Sequence, residues 1–351
     1  MIAHPELYIH KISTKLPGDV LSNREFSFLI PPDHRPPEFT PDTAEAWIEE
    51  RTGISHRFVA NRSMIGTRCA PIDTELALTL ETIQNFQINA HSWSELDAII
   101  VVKSSPIQYS PALSQKLVQH FTEKFSAETP HKISEKRGIF TLDLFQPCTG
   151  ILAALKILLH LPFRNAWLIT PEVLTPFVNL KDPASAILFG DGIAALWITQ
   201  EITQENQRAQ FRLKDANFES MADHHQVLGF SDAAESGYMK GPELFRKVVP
   251  EFKKASQKLL DRNQLTVADI QYYLPHQANA RIIERAAHSL GFRKDQIISN
   301  IKNVGNTANA SMLIALDHFL HSNQSWKSGN KILMNACGAG LSSGAALLEV
   351  V

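Results

Sequence analysis

The sequence predicts an α/β layered fold, on three observations. Short apolar, β-rich runs alternate with stretches of helical periodicity through most of the chain. The runs are apolar nearly throughout rather than alternating with polar residues, as strands covered on both faces are. The strand–helix theme also occurs twice, once in each half. In the first half, residues 96–102, 139–145 and 166–170 read as buried strands, while 74–86, 111–124 and 149–161 carry helical spacing. In the second, 193–199 and 270–274 read as strands, 277–290 and 307–321 as helices, and 331–336 and 344–351 as closing strands. Two stretches break the alternation: the proline-rich 31–43 and the polar 121–138 both read as surface loops.

Bulk composition narrows the function. A chain of 351 residues with 44% hydrophobic and 20% charged side chains can build a sizeable core. Lysine plus arginine number 34 against 36 acidic residues, which offers no electrostatic case for nucleic acid or an anionic membrane surface. Residues 1–20 lack a basic start followed by a long apolar run, so no signal peptide is expected. No apolar stretch reaches the roughly 18 residues that span a bilayer, so no membrane insertion is expected either. The three cysteines, Cys69, Cys148 and Cys337, stand far apart without CxxC spacing. A disulfide framework or a zinc site is therefore not expected, and a reducing cytoplasm suits the chain.

Three residues carry candidate chemistry. Cys148 lies between a predicted strand and a predicted helix, where free N–H groups and the helix dipole favour a thiolate. A buried structural thiol fits its position equally well. His276, in Pro275-His276-Gln277-Ala278-Asn279, follows an apolar strand, where α/β folds place functional groups; the plain alternative is a loop histidine bonded to backbone. Asn306, in Gly305-Asn306-Thr307, opens a helix and could simply cap it. None of the three decides the matter alone. The run Gly338-Ala339-Gly340-Leu341-Ser342-Ser343-Gly344 follows a strand, but strand pattern rather than a helix comes next, against a dinucleotide loop. A glycine-rich hairpin aiming N–H groups at a reacting carbonyl fits better.

In combination and in order, these motifs resemble the β-ketoacyl-acyl carrier protein synthase III (KAS III) family of the thiolase superfamily, over nearly the full length. The resemblance rests on Trp47-Ile48-Glu49-Glu50-Arg51-Thr52-Gly53-Ile54, the Cys148 turn, Leu188-Phe189-Gly190-Asp191-Gly192, the His276 and Asn306 motifs, and Gly338-Ala339-Gly340. It implies a thiolase-like fold, a duplicated α-β-α-β-α five-layered architecture, with residues 1–185 carrying the nucleophilic cysteine and 186–351 the histidine and asparagine. It implies that Cys148 takes an acyl group from a CoA or carrier-protein thioester. His276 and Asn306 would hold the carbonyl of a malonyl-type extender and stabilise its enolate, and the Cys148 and Ala339 N–H groups would form the oxyanion hole. Trp47 and Arg51 match positions at the CoA adenine end, though Trp47 also reads as a plain helix anchor. Arg281 matches a basic position at the pantetheine entrance and carrier-protein surface. Asp191 looks structural. The partners implied are acyl-CoA or acyl carrier protein, CoA or phosphopantetheine thioesters being substrates with no further cofactor, and a second copy of the chain in a homodimer.

Two departures from the family pattern bear on specificity. Cys337 stands where housekeeping members carry phenylalanine, and Ser110 where a bulky aromatic can cap the acyl pocket, although Tyr109 could fill that space. The 121–138 stretch also looks expanded. These differences favour specialised lipid or polyketide biosynthesis by Claisen condensation with a malonyl-type or β-ketoacyl thioester. An acyltransferase moving the acyl group from Cys148 to an oxygen or nitrogen nucleophile is the alternative. A non-catalytic subunit would be expected to lack the cysteine, and no protease-like motif supports a hydrolase.

Overall fold

A computed structural model of the chain describes residues 6–40, 42–105, 107–108, 110–128, 138–200, 210–221, 227–231, 236–239, 241–322 and 327–351. The first strands and helices are β1 (Leu7–Lys15), β2 (Asp19–Ser22), α1 (Asn23–Leu29), α2 (Ala44–Thr52), β3 (His56–Val59), α3 (Thr74–Ile83) and α4 (Ala90–Ser94). Next come β4 (Ala98–Lys103), α5 (Leu113–Glu128), β5 (Phe140–Phe145), α6 (Gly150–Leu158), β6 (Asn165–Glu172), α7 (Pro183–Ala186) and β7 (Gly192–Thr199). Then follow β8 (Phe211–Ser220), β9 (Leu228–Ser231), β10 (Ser236–Met239), α8 (Gly241–Arg262), β11 (Tyr272–Pro275) and α9 (Ala280–Leu290). The last are α10 (Ile301–Val304), α11 (Ser311–His321), β12 (Lys331–Gly338) and β13 (Ser342–Val350).

The main sheet has the order β11-β12-β13-β8-β1-β7-β6-β4-β5 and contains the same pattern twice. In the first set β4 lies parallel to β6, β6 antiparallel to β7, and β7 antiparallel to β1. In the second β11 lies parallel to β12, β12 antiparallel to β13, and β13 antiparallel to β8. The sets meet where β1 and β8 pair antiparallel, Leu7 opposite Leu213 and Ile9 opposite Phe211. The repeat turns over between Thr199 and Phe211, so β7, which periodicity groups with the second half, closes the first set.

The layers explain why the strands read as continuous apolar runs. Ala98, Ile100 and Val102 of β4 point to a central core shared with α6, α11, β12 and β13, while Ile99 and Val101 point to a core under α3 and α5. On the second set, Leu333 and Leu347 face α8 and α9, and Ile332 and Leu348 face the centre. Helix α6 touches strands of both sets, and so does α11. A helix sandwiched in this way is apolar nearly all round, as Gly150–Leu158 (GILAALKIL) is apart from Lys156 in its last turn.

Two expectations change. The 121–138 stretch is not a loop from its start: α5 continues to Glu128, with Phe121 and Phe125 buried at helical spacing. Residues 129–137 lie outside the described residues. Strand β5 is the edge of the sheet rather than a buried strand, with Phe140 and Phe145 45% and 46% exposed. The long helix α8 interrupts its own pattern with Pro250 and is not legible as one unit from periodicity. Among the described residues no helix is long and apolar enough to cross a membrane.

Candidate active site

Cys148 occupies a tight corner between β5 and α6 and adopts φ +66°, a left-handed conformation rare outside glycine. The corner is held from two sides. The Thr149 and Ser342 hydroxyls share a 2.6 Å hydrogen bond, and Gln146 Nε2 donates to Ser342 Oγ at 3.1 Å, tying the corner to the turn between β12 and β13. Gly338 closes the approach: a Cβ there would lie 2.6 Å from the Pro147 carbonyl oxygen and 2.7 Å from Cys148 Cβ. The Ala339 N–H of the glycine-rich hairpin acts on the Cys148 thiol to lower its pKa.

The expected thiolate is not the resting state. Burial pushes the Cys148 thiol up to about 12, the nearby Glu172 carboxylate adds to the rise, and the Ala339 N–H only partly offsets it. Helix α6 supplies less than its position promises because its first N–H groups are already engaged. Ile151 donates to Asn309 Oδ1 at 3.2 Å, and Leu152 and Ala153 donate to the Thr149 carbonyl.

His276 follows β11 and is buried, 1% exposed. Its Nδ1 lies 2.8 Å from Ser311 Oγ, which itself accepts the Gln277 N–H at 3.3 Å. Ser311 Oγ can donate to an unprotonated Nδ1 or accept from a protonated one, and in the tautomer in which it donates the imidazole proton sits on Nε2. Nε2 has no hydrogen-bond partner among the described residues. Burial pushes the imidazole down to about 4, so near neutral pH His276 is uncharged.

Asn306 is 4% exposed and lies in a turn clamped to the 188–190 segment by the Asn306 N–H to Leu188 carbonyl bond and the Gly190 N–H to Asn306 carbonyl bond. Its Oδ1 accepts the Ala308 N–H at 2.9 Å, which leaves Nδ2 as the donor end. Asn306 is therefore held by its own turn rather than serving as the cap of α11.

Beneath these groups lies a polar cluster that motif reading missed. Glu172, wholly buried at the end of β6, accepts from the Ser104 N–H (3.0 Å), Ser104 Oγ (2.9 Å), Asn309 N–H (3.2 Å) and Asn309 Nδ2 (2.7 Å). Asn309 Nδ2 also lies 3.1 Å from the Gln146 carbonyl. Burial pushes the Glu172 carboxyl up to about 7. One acidic residue at the end of an otherwise apolar strand was the available signal. Asp191 staples the turn after β6, accepting from the Ala60, Leu174 and Thr175 N–H groups and the Thr175 hydroxyl.

The remaining candidates lie further out. Trp47 is 8% exposed, with Phe39 edge-on at 5.0 Å and the Arg51 guanidinium over its ring at 4.1 Å, so both residues pack on each other as a helix anchor would. Arg51 also pairs with Glu38 at 3.3 Å. Arg281 is exposed on α9 and lines an open depression of about 740 Å³ with Glu284, Arg285 and His288. Ser110 is exposed, and Tyr109 lies outside the described residues. Cys337 is buried on the α8-facing side of β12, where burial, then Glu251 and Cys148, push its thiol up to about 12. Among the described residues no three His, Cys, Asp or Glu side chains gather as a metal site.

Residues 142–217 match the family described as 3-oxoacyl-[acyl-carrier-protein (ACP)] synthase III, and residues 260–350 match its C-terminal part. The chain is 28% identical over 349 residues to the β-ketoacyl-[acyl-carrier-protein] synthase III of Wolbachia pipientis wMel, covering 97% of this chain and 98% of that one. It is 29% identical to the protein of the same description from Clostridium acetobutylicum, covering 95% of each. The crystal structure of 3-oxoacyl-[acyl-carrier-protein] synthase III from Aquifex aeolicus VF5 superposes with a TM-score of 0.76 at 27% identity, over 98% of this chain and 99% of that one.

A twice-repeated strand pattern around two central helices, with a cysteine corner opening one of them, defines a thiolase-like condensing enzyme of the acyltransferase class. Its relatives narrow this further. The protein is a KAS III-like condensing enzyme.

Proposed function

We propose that the protein loads an acyl group from acyl-CoA or acyl carrier protein onto Cys148 and condenses it with a malonyl-type or β-ketoacyl thioester, in specialised lipid or polyketide biosynthesis. The observation that carries this is His276: a buried, uncharged imidazole with Nε2 unpartnered among the described residues, whose Nδ1 bonds Ser311, two residues after the Asn309 that bonds the Gln146 carbonyl beside Cys148. In loading, Cys148 sulfur bonds to the acyl carbon and the thiol proton passes to the departing CoA or phosphopantetheine sulfur. The Cys148 and Ala339 N–H groups hold the tetrahedral oxyanion. With a malonyl extender, loss of CO2 leaves an enolate whose oxygen accepts from His276 Nε2 and Asn306 Nδ2. The carbanion attacks the acyl carbonyl, and collapse expels Cys148, which takes up a proton. No cofactor beyond the thioester substrates enters these steps.

Several outer residues take roles in this reading. Arg281, with Arg285 and His288, offers a basic face to an acidic carrier protein or to CoA phosphates. Arg51 and Trp47 would have to part to receive an adenine between them. The small Ser110 and Cys337 leave room for a longer or branched acyl chain. The β5 edge, with Phe140 and Phe145 exposed, suits a homodimer, and thiol chemistry suits the cytoplasm.

Intact-protein mass spectrometry after incubation with a panel of acyl-CoAs and acyl carrier proteins tests loading at Cys148, and CO2 release from malonyl thioesters tests condensation. Absence of both removes the proposal. Loading without CO2, with transfer to an oxygen or nitrogen nucleophile that survives Asn306→Ala, would make the protein an acyltransferase on the same fold.

A further inference from the structure

The polar cluster under the site has a geometry that the reaction steps do not use. Glu172 pairs with no cation among the described residues, yet its carboxyl group receives four donors. Burying an ionisable group so deeply is unfavourable unless those bonds form, and an apolar side chain of similar size would pack at lower cost. What the bonds do is join separate segments. Ser104 directly follows β4, Glu172 ends β6, and Asn309 sits three residues after Asn306.

Asn309 extends the join to the nucleophile. Its Nδ2 reaches the Gln146 carbonyl, two residues before Cys148, and its Oδ1 accepts the Ile151 N–H, three residues after it. The amide cannot turn over, since that would set Oδ1 against a carboxylate and a carbonyl and Nδ2 against an N–H. Glu172 thus fixes the face of Asn309, and Asn309 spans the corner that holds Cys148.

We propose that Glu172 and Asn309 are positioning residues for the condensation step, holding the Cys148 corner and the Asn306 turn in one register. Loading needs only the cysteine and its two backbone donors. Those remain supported by the Thr149–Ser342–Gln146 bonds when Asn309 is lost. Condensation also needs Asn306 at a set distance from the acyl-cysteine, and this is what the clamp supplies. Its loss should therefore separate the two half-reactions.

The inference rests on the condensing reading of the site, and a cycle of variants tests it. For Asn309→Ala and for Glu172→Gln, condensation should fall at least about thirtyfold in kcat, with KM for the extender and the Cys148 loading rate each changed less than about threefold. In an Asn306→Ala background the same changes should add almost nothing, because the group they position is gone. Multiplicative losses in that background, equal losses in loading and condensation, or undiminished condensation would each overturn the clamp. Should Asn309→Ala fail to fold, Glu172→Gln preserves the side-chain volume and runs through the same cycle. Parent protein that never loads or releases CO2 removes the condensing reading itself. Parent protein that does both, beside unaffected variants, removes only the clamp.

Discussion

Two buried groups should make stability respond to pH in opposite directions. His276 is pushed from 6.5 down to about 4, and Glu172 from 4.5 up to about 7, both by burial. Between pH 4 and 6.5 the unfolded chain binds a proton on His276 that the folded chain refuses. The histidine's contribution is therefore complete above pH 6.5 and lost as pH falls toward 4. Between pH 4.5 and 7 the folded chain keeps a proton on Glu172 that the unfolded chain releases, so that contribution is complete below 4.5 and lost as pH rises through 7. From these values each effect amounts to about 2 kcal/mol between pH 5 and pH 7, with opposite sign. In the parent they nearly cancel. Relative to the parent, His276→Gln should gain about 2 kcal/mol on going from pH 7 to pH 5, and Glu172→Gln should gain about 2 kcal/mol in the reverse direction. Urea unfolding of all three proteins at both pH values reads this directly, since taking differences from the parent removes every other titrating group. Variant–parent differences that move the same way with pH, or stay within about 0.5 kcal/mol, would refute the reasoning.

Other outcomes follow from single contacts. Ser311→Ala removes the hydroxyl bonded to His276 Nδ1; condensation should fall on the order of tenfold to a hundredfold while loading persists, measured by CO2 release against intact mass. Gly338→Ala drives a methyl group into the Cys148 corner, so loading should slow at least about tenfold and unfolding occur about 1–3 kcal/mol more easily. Arg281→Glu should raise KM for a carrier-protein thioester on the order of tenfold, and less at high salt, leaving loading from a short acyl-CoA less affected.

Much of the layering was legible because strands covered on both faces have a distinctive apolar signature. β4, β6 and β7 carry it, and each was located to within a few residues. β1 and β8 escaped notice: Leu7–Lys15 and Phe211–Ser220 mix charged residues among apolar ones, and only long-range pairing makes them strands. Within α5, the polar run 122–124 hid the i, i+4 pair of Phe121 and Phe125. In the site, Cys148, His276 and Asn306 stood out through the motifs around them. Glu172 and Asn309 did not, since their significance is a contact between residues 137 positions apart. The charge state of Cys148 was misjudged for a related reason: a helix start is visible locally, but which groups already occupy its N–H donors is not.

The meeting of β1 and β8 at the middle of the sheet bears on how the chain is assembled. As synthesis proceeds, β1 emerges early and waits about 180 residues for β7 and about 200 for β8, its two neighbours. The first strand set has all its strands once β7 is made, but its junction with the second waits for β8, and the central helix α6 stays half-covered until β8 and β13 follow. Such non-local pairing is slow and leaves apolar strands open to wrong partners. A nascent chain halted after β7 would carry Cys148 on a corner that still lacks Ser342 and Gly338, its neighbours from the second set. Cys337 on β12, by contrast, is covered only when α8, α9 and β13 pack around it, so its resistance to alkylation during refolding would report completion of the second set.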